Sequence, residues 1–253
     1  MGVLHRMLGH PLTRDLPVDD PRTTLLRRTI VREKRFLRAI YAEWYAHIIG
    51  ALEEKDYVLE LGAGAGFLVE LLPGVIASEL FETHGIGLVA DACALPIADK
   101  TLDAIVMTDV FHHIPDASRF LHEATRCVRS GGKMVMIEPW PTPWSEWVYK
   151  NLHSEPFDPG ANWEIPGHGP LSGANGALPW IVFQRDRALF KARHPEWQIK
   201  NIVPMMPLAY LLSGGVSLRS LMPRWMYRPI RRLERLSNEA SWAMFALIEL
   251  ELA

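Results

Sequence analysis

Cysteine is scarce in this sequence of 253 residues. Only Cys93 and Cys127 occur, and they do not form a CxxC pair. Two isolated cysteines argue against a disulfide framework and favour a reducing compartment. We therefore expect a cytoplasmic protein.

Long apolar runs are also lacking. One long uncharged stretch, residues 202–218, contains two prolines and two glycines and would make a poor transmembrane helix. The first residues lack the apolar run of a secretory signal. The remaining membrane hypothesis is a peripheral contact with the inner face of the membrane.

Charge is nearly balanced overall but is distributed unevenly along the chain. Residues 1–40 contain nine Lys and Arg against four Asp and Glu, and residues 219–235 contain six Arg against one Glu. The basic segments 22–38 and 219–235 favour an anionic partner, either a membrane surface or a phosphate-bearing molecule, although solvated helix faces would explain them equally well. No recognised nucleic-acid module accompanies them, so we expect no nucleic-acid partner.

Strand and helix patterns alternate along most of the chain. Short apolar runs predict strands at 57–61, 75–80, 86–91, 102–110, 133–139, 196–203 and 243–252. Three-to-four spacing of apolar residues predicts helices at 23–52, 67–72, 117–129 and 183–194. Strands that alternate with helices predict an α/β protein with a mostly parallel sheet.

Two stretches interrupt this alternation, and a single domain over 1–253 accommodates both. We assign an N-terminal arm and helix to 1–54 and a ligand-binding core to 55–139. The core resumes at 183–203 and 241–253. Between these parts lie an aromatic-rich cap at 140–182 and a basic insertion at 204–240.

The segment VLELGAGAGF, residues 58–67, carries the main functional signal. Its glycines, Gly62, Gly64 and Gly66, bring the backbone close to a ligand. Phe67 stands where a dinucleotide-binding loop has its third glycine. Glu60 would repel a pyrophosphate but suits a cationic amino-acid group. The motif favours a positively charged ligand, and an NAD(P)-dependent oxidoreductase is the alternative.

Further polar residues end the following strands. Glu79 lies seventeen residues after Gly62, at the end of the second predicted strand, where a carboxylate can accept both ribose hydroxyls. Asp91 ends the third strand. Thr108, Asp109 and Val110 end the fourth, and the letters FHHI follow. Ligands bind at this edge of an open α/β sheet.

In these motifs residues 55–140 resemble the class I S-adenosylmethionine-dependent methyltransferases, in the branch that includes ubiquinone- and menaquinone-biosynthesis enzymes (the methyltransferase type 11 domain). The resemblance implies a Rossmann-like fold in which helices cover both faces of a seven-stranded, mostly parallel sheet with an antiparallel last strand. It implies S-adenosylmethionine as the cofactor. The cap and the basic insertion have no counterpart in the minimal fold of that family.

The resemblance also implies roles for individual residues. Those around the methionine part of the cofactor would be Glu60, Gly62, Ala63, Gly64 and Gly66. The ribose would be bound by Glu79, the adenine by Asp91 and Ala92, and the region near the sulfonium by Thr108, Asp109 and Val110. One departure is that only twelve residues separate Glu79 from Asp91. The helix between these strands must then be short or missing.

Candidates for the catalytic base or for acceptor contacts are His112, His113 and His153, with packing as the alternative for each. A metal reading of His153, Glu155, Asp158 and His168 is chemically conceivable, but their spacing is not diagnostic, and we expect no metal. The cap tryptophans either wall an apolar pocket or form the core of the cap; they are Trp140, Trp144, Trp147, Trp163 and Trp180.

The resulting function hypothesis is methyl transfer from S-adenosylmethionine to a small amphiphilic or anionic acceptor, such as a quinone, a lipid or a lipid-linked sugar. An NAD(P)-dependent oxidoreductase is one alternative. The other is a non-catalytic membrane or assembly factor built on the methyltransferase fold.

Overall fold

A computed structural model describes residues 10–12, 16–17, 19–20, 22–53, 56–153, 155–166, 169, 172–236 and 238–253. Within these residues the chain forms one seven-stranded sheet of order β3-β2-β1-β4-β5-β7-β6. The strands are β1 Val58–Leu61, β2 Ile76–Glu79, β3 Leu88–Val89, β4 Leu102–Thr108, β5 Val128–Pro139, β6 Trp197–Met205 and β7 Phe245–Leu252.

Most of the sheet is parallel. β1 pairs in parallel with β2 and β4, and β4 pairs in parallel with β5. β7 runs antiparallel between β5 and β6. Every residue of β1 is buried and β4 is buried up to its last residue, as expected of strands covered on both faces. The predicted fold class, including its antiparallel last strand, is confirmed.

The helices are α1 Arg22–Glu33, α2 Arg35–Leu52, α3 Leu68–Leu71, α4 Ala117–Cys127, α5 Pro143–Leu152, α6 Leu178–Trp180, α7 Arg187–Arg193, α8 Ala209–Ser213, α9 Tyr227–Leu236 and α10 Glu239–Trp242. A π-helical turn covers Ile181–Arg185, and 3₁₀ turns cover Ala63–Ala65, Phe111–His113 and Arg224–Met226. None of the helices in the described part of the chain has the length and apolar character needed to cross a bilayer.

The prediction of a single helix at 23–52 is wrong, because the helix is interrupted at Lys34. The backbone of Lys34 has a ψ of 86°, outside the helical range. Its ammonium group donates hydrogen bonds to the carbonyl oxygens of Gly215 at 2.5 Å and Leu218 at 2.9 Å. These distant contacts fix the angle between α1 and α2, and apolar periodicity carries no sign of them.

The β2–β3 connection lacks a helix, as the short spacing between Glu79 and Asp91 predicts. Residues 80–87 form turns and irregular backbone, and β3 has only two residues. The predicted helix 117–129 is two residues too long, since β5 begins at Val128. β5 runs through Gly131 and Gly132, and a register shift against β4 accommodates the extra residues.

The cap contains a helix that periodicity did not predict. Thr142 and Ser145 form a capping box at the start of α5, and Pro143 follows the cap residue. Both are helix-start signals that could be read from the letters TPWS. The division of the chain into core, cap and basic insertion stays a prediction.

Trp44 joins three parts of the fold. It is fully buried on α2, and its ring stacks on Tyr210 of α8 at 5.6 Å between centroids and packs against Phe245 of β7 at 4.8 Å. The packing therefore ties the N-terminal helices and the basic insertion to the sheet.

We expect Trp44→Ala to lower the free energy of unfolding by about 3–5 kcal/mol, because it leaves a large cavity at this junction. Urea denaturation followed by circular dichroism measures the change. Trp225→Ala is the matched control, since the Trp225 side chain is 73% exposed, and its effect should stay within about 0.5 kcal/mol. Equal destabilisation by both variants would contradict the role given to Trp44.

Candidate functional site

The glycine turn lies at the carboxyl end of β1. Gly62 has a φ of 66°, in the left-handed region, and a side chain there would overlap Val110. Both constraints require glycine. Residues 63–65 follow as a 3₁₀ turn, so the backbone reverses directly above the sheet.

Two neighbouring elements hold the turn at Gly64. The Gly64 N–H donates to Glu79 Oε1 at 3.1 Å, and the Gly64 carbonyl accepts from Arg28 Nε of α1 at 2.7 Å. An added Cβ at Gly64 would overlap Thr24 and Glu79. The N-terminal helix α1 therefore closes directly over the glycine turn.

A large pocket opens beside this turn, between the sheet edge, the cap and the start of the basic insertion. It brings together most of the predicted site residues, namely Gly62, Glu79, Asp91, Ala92, Thr108, Asp109, Val110, His113 and His153. Glu60, Ala63 and Gly66 line a separate pocket under α1. Gly64 links the two pockets, because its N–H donates a hydrogen bond to Glu79 of the main pocket. His112 is fully buried beneath the pocket floor.

Glu60 is a buried carboxyl group at the end of β1, with 4% of its surface exposed. Burial raises its pKa to about 8, and the nearby Glu79 adds to this rise while Arg28 opposes it. Burial also raises the pKa of Glu79. Both carboxyl groups hold a proton more strongly than usual, and a cation bound beside them would lower their pKa values and favour the charged form.

Asp109 also lines this pocket. It follows β4 with a φ of 62°, and its N–H donates to the Ile137 carbonyl of β5 at 2.9 Å. Burial raises the pKa of its carboxyl group to about 6. A non-glycine residue in the left-handed region is uncommon and often marks a functional position.

His112 is held by Glu138 at the end of β5. The His112 Nδ1 lies 2.8 Å from Glu138 Oε2, and Glu138 Oε1 accepts from the N–H groups of Val110 at 2.8 Å and Phe111 at 2.7 Å. Burial lowers the pKa of His112, but the neighbouring carboxylates of Glu138 and Glu155 outweigh this effect and raise that pKa well above its usual value.

Glu155 of the cap faces three histidines. Its carboxylate lies 3.5 Å from His112 Nε2, 4.0 Å from His113 Nε2 and 3.8 Å from His153 Nδ1. Burial would raise the pKa of Glu155, but His112 and the other two imidazoles hold it well below its usual value. Burial lowers the pKa of His113 to about 3 and lowers that of His153 as well.

Asp158 does not join His153 and Glu155, the residues considered with it for a metal site. The Asp158 carboxylate accepts from the Gly160 N–H at 2.8 Å in a local turn. His168 lies outside the described residues. Besides His153, Glu155 approaches His112 and His113, a pairing that links the cap to the core.

Tyrosines and aliphatic side chains form the pocket wall opposite the sheet. Tyr41 comes from α2, Tyr149 from α5 and Tyr210 from α8. Sequence reasoning missed all three, and it also missed Glu138, although Glu138 sits at a strand end where ligand sites form. The five cap tryptophans are absent from the lining of this pocket within the described residues. Trp144 and Trp163 donate to Pro207 and Asp186 respectively, which are contacts within the fold.

Comparisons with known proteins agree with this fold. Residues 59–136 match a family model described as a methyltransferase domain. Demethylmenaquinone methyltransferase of Thermobifida fusca is 30% identical over 101 residues, 40% of this chain and 35% of that enzyme. The enzyme of the same name from Bacillus mycoides is 31% identical over 100 residues, 38% of this chain and 40% of that enzyme. The aligned part thus spans well under half of these relatives.

Solved structures share the fold over most of the chain. An S-adenosylmethionine-dependent methyltransferase of Thermotoga maritima aligns with a TM-score of 0.55 at 15% identity, over 90% of this chain and 99% of the other. Geranyl diphosphate C-methyltransferase of Streptomyces coelicolor aligns with a TM-score of 0.54 at 12% identity, over 97% and 92%. Residues 59–136 thus carry a methyltransferase domain, and the fold is that of the class I S-adenosylmethionine-dependent methyltransferases. The methyltransferase resemblance predicted from the sequence is confirmed over these residues.

The raised pKa of Glu60 makes a prediction for stability. The carboxyl group has a pKa of 4.5 in the unfolded chain and about 8 in the folded protein, so the folded protein holds this proton more strongly. The resulting stabilisation is fully present below pH 4.5 and is lost as the pH rises to about 8. We expect the free energy of unfolding to fall over this range, with Glu60 contributing a slope of up to about 1.4 kcal/mol per pH unit.

Urea denaturation at several pH values tests this. Glu60→Gln should flatten the slope, whereas Glu82→Gln, a change at an exposed carboxyl group, should leave it unchanged. A Glu60→Gln protein with the wild-type slope would refute the assignment.

Proposed function

We propose that this protein transfers a methyl group from S-adenosylmethionine to a small amphiphilic acceptor. The observation that carries the proposal is the pocket between the glycine turn and the cap, whose floor is acidic and whose opposite wall is apolar. The floor suits a sulfonium cation, and the wall suits an apolar acceptor body.

S-adenosylmethionine would lie along the carboxyl ends of β1, β2 and β4. Gly62 allows the methionine part to approach the backbone, and Glu79 offers carboxylate oxygens to the ribose hydroxyls. Asp91 and Ala92 lie beyond Glu79 on the adenine side. Asp109 would face the sulfonium, where a carboxylate stabilises the positive charge without touching the methyl group.

The acceptor would enter from the cap side. Val148, Leu152, Leu211, Val216 and Met244 supply aliphatic surface there, next to the three tyrosines. Arg27 also lines the pocket and could bind an anionic head group. A quinone, a lipid or a lipid-linked sugar intermediate combines an apolar body with such a polar group.

Methyl transfer requires an in-line approach and, for a hydroxyl acceptor, removal of a proton. His113 and His153 line the pocket and are the candidate base or acceptor contacts. His112 is buried, so we assign it a positioning role beside Glu138. The oxidoreductase alternative loses support, because Glu60 and Phe67 occupy the positions that disfavour a pyrophosphate.

We expect S-adenosylhomocysteine to bind the wild-type protein and Glu79→Ala to weaken this binding by about tenfold or more, the loss expected for hydrogen bonds to a charged group. Isothermal titration calorimetry measures both affinities. Glu82→Ala is the matched control, because Glu82 is exposed three residues further along. Tighter binding of NADH than of S-adenosylhomocysteine would favour the oxidoreductase. If S-adenosylhomocysteine binds but no quinone or lipid extract is methylated, the non-catalytic alternative would be favoured.

The basic insertion supports a place for this reaction at a membrane surface. Leu221, Trp225, Leu233 and Leu236 are between 59% and 80% exposed. Exposed arginines stand between them, namely Arg224, Arg228 and Arg232. Arginine interleaved with exposed tryptophan and leucine suits the boundary of an anionic bilayer. The same insertion supplies Tyr210 and Val216 to the pocket wall, so an acceptor leaving the bilayer would reach the pocket directly.

The other basic segment fits this role less well. Arg28 binds the Gly64 carbonyl, and Arg32 and Arg38 both pair with Glu70. Arg231 of the second segment is buried and pairs with Glu43, Glu234 and Glu239. These cations hold the fold together, so we confine the membrane proposal to residues 221–236.

We expect the protein to float with vesicles that contain anionic lipid and to remain unbound with neutral vesicles. Arg228→Glu/Arg232→Glu should abolish flotation, because each arginine contributes about 1 kcal/mol near an anionic surface. Arg187→Glu/Lys191→Glu, an equal charge change on the exposed side of α7, should leave flotation intact. Equal loss in both double variants would reduce the effect to net charge.

A further inference from the structure

We propose that His112, His113 and Glu155 bind one divalent transition-metal ion at the wall of the pocket, and that zinc suits these ligands best. The site would join the core to the cap, since both histidines follow β4 and Glu155 follows α5. One ligand atom from each residue lies within 4.8 Å of the others.

The distances fit a metal better than they fit hydrogen bonds. Glu155 lies 3.5 Å from His112 Nε2 and 4.0 Å from His113 Nε2, which is too long for a good hydrogen bond in either case. Ligands at zinc–nitrogen and zinc–oxygen distances near 2.1 Å stand about 3.4 Å apart in a tetrahedral site. A small contraction would bring all three groups onto one ion.

Both imidazoles point the same nitrogen into the site. His112 Nδ1 contacts Glu138 at 2.8 Å, and His113 Nδ1 contacts the Gly173 carbonyl at 3.4 Å. Each contact favours a proton on Nδ1 and leaves the lone pair of Nε2 directed at Glu155. A carboxylate or a backbone carbonyl behind a histidine is the usual outer shell of a metal ligand.

His112 supplies the observation that calls for a ligand. Its side chain is fully buried, with 0% exposure. Within the described residues its Nε2 has no hydrogen-bond partner. A buried polar atom without a partner costs about 1–3 kcal/mol. The metal-free alternative is an imidazolium between Glu138 and Glu155. That ion pair leaves His113 Nε2 without a role, because the two rings are in contact at 4.1 Å and would not both carry charge.

A second cluster, His122, His194 and Glu196, offers similar ligand types. His122 is exposed, and this cluster is absent from the lining of the main pocket within the described residues. It therefore serves as an internal comparison rather than as a rival catalytic site.

Three protein ligands leave zinc with an open position, as in catalytic zinc sites. His113 and Glu155 line the pocket, so this position would face the bound acceptor. The ion would bind an acceptor hydroxyl and lower its pKa, and His153 of the pocket lining or water would take the released proton. The resulting alkoxide or phenolate oxygen would take the methyl group as the carbon–sulfur bond breaks, leaving S-adenosylhomocysteine. This catalytic use rests on the proposed function, whereas metal binding does not.

The test is zinc binding to the full chain. Metal-free protein is titrated with Zn²⁺ by calorimetry, and Co²⁺ is then added to report the coordination geometry through its visible absorption. We expect about one strong site per chain with tetrahedral Co²⁺ bands. His113→Ala and Glu155→Gln should each weaken Zn²⁺ by at least about tenfold. His122→Ala should leave the affinity unchanged.

Unchanged zinc affinity in His113→Ala and Glu155→Gln would overturn the proposal, as would loss of the strong site in His122→Ala. Circular dichroism on each variant separates loss of a ligand from loss of the fold. S-adenosylhomocysteine binding is measured on the same samples. If S-adenosylhomocysteine binds and zinc does not, the metal site alone is refuted. If zinc binds and S-adenosylhomocysteine does not, the proposed function alone is refuted.

Discussion

The rest of the site depends on the hydrogen bonds that the buried Glu138 carboxylate accepts. This carboxylate lies fully buried at the end of β5 and accepts hydrogen bonds from Val110, Phe111 and His112. Three donors stabilise a charge that would otherwise be costly to bury. They also fix the turn after β4, which sets the left-handed conformation of Asp109 and the direction of both histidines.

A second constraint is that no single segment completes the pocket. The sheet edge supplies the acidic floor, α1 closes over the glycine turn, and α5 and α8 supply the wall. Long-range polar contacts hold these parts in place, such as Lys34 with the Gly215 carbonyl and Tyr149 with the Met244 carbonyl. The acceptor side is therefore built mostly from segments outside the region that matches the methyltransferase family, which is why family membership leaves the acceptor open.

Much of the core could be predicted because it depends on local signals. Three of the four residues VLEL of β1 are apolar, which suits a strand buried on both faces, and the glycines that follow allow one sharp turn. The missing β2–β3 helix follows from chain length alone. The interruption of the helix at Lys34 could not be predicted in this way, since it depends on hydrogen bonds to distant carbonyl groups. The start of β5 at Val128 could not be predicted either, since it depends on a register shift in the sheet.

The sequence by itself determined the fold class, the methyltransferase family and the set of strand-end acids, because these depend on residue type and on spacing along one stretch of chain. Only the tertiary structure decided how these acids divide between pockets. It places Glu60 under α1, sets Asp109 and Glu79 in the main pocket, and brings Glu155 to His112 and His113. The reason is physical: side chains about 40 residues apart meet only when the cap packs on the sheet, and burial then alters their charge and their chemistry.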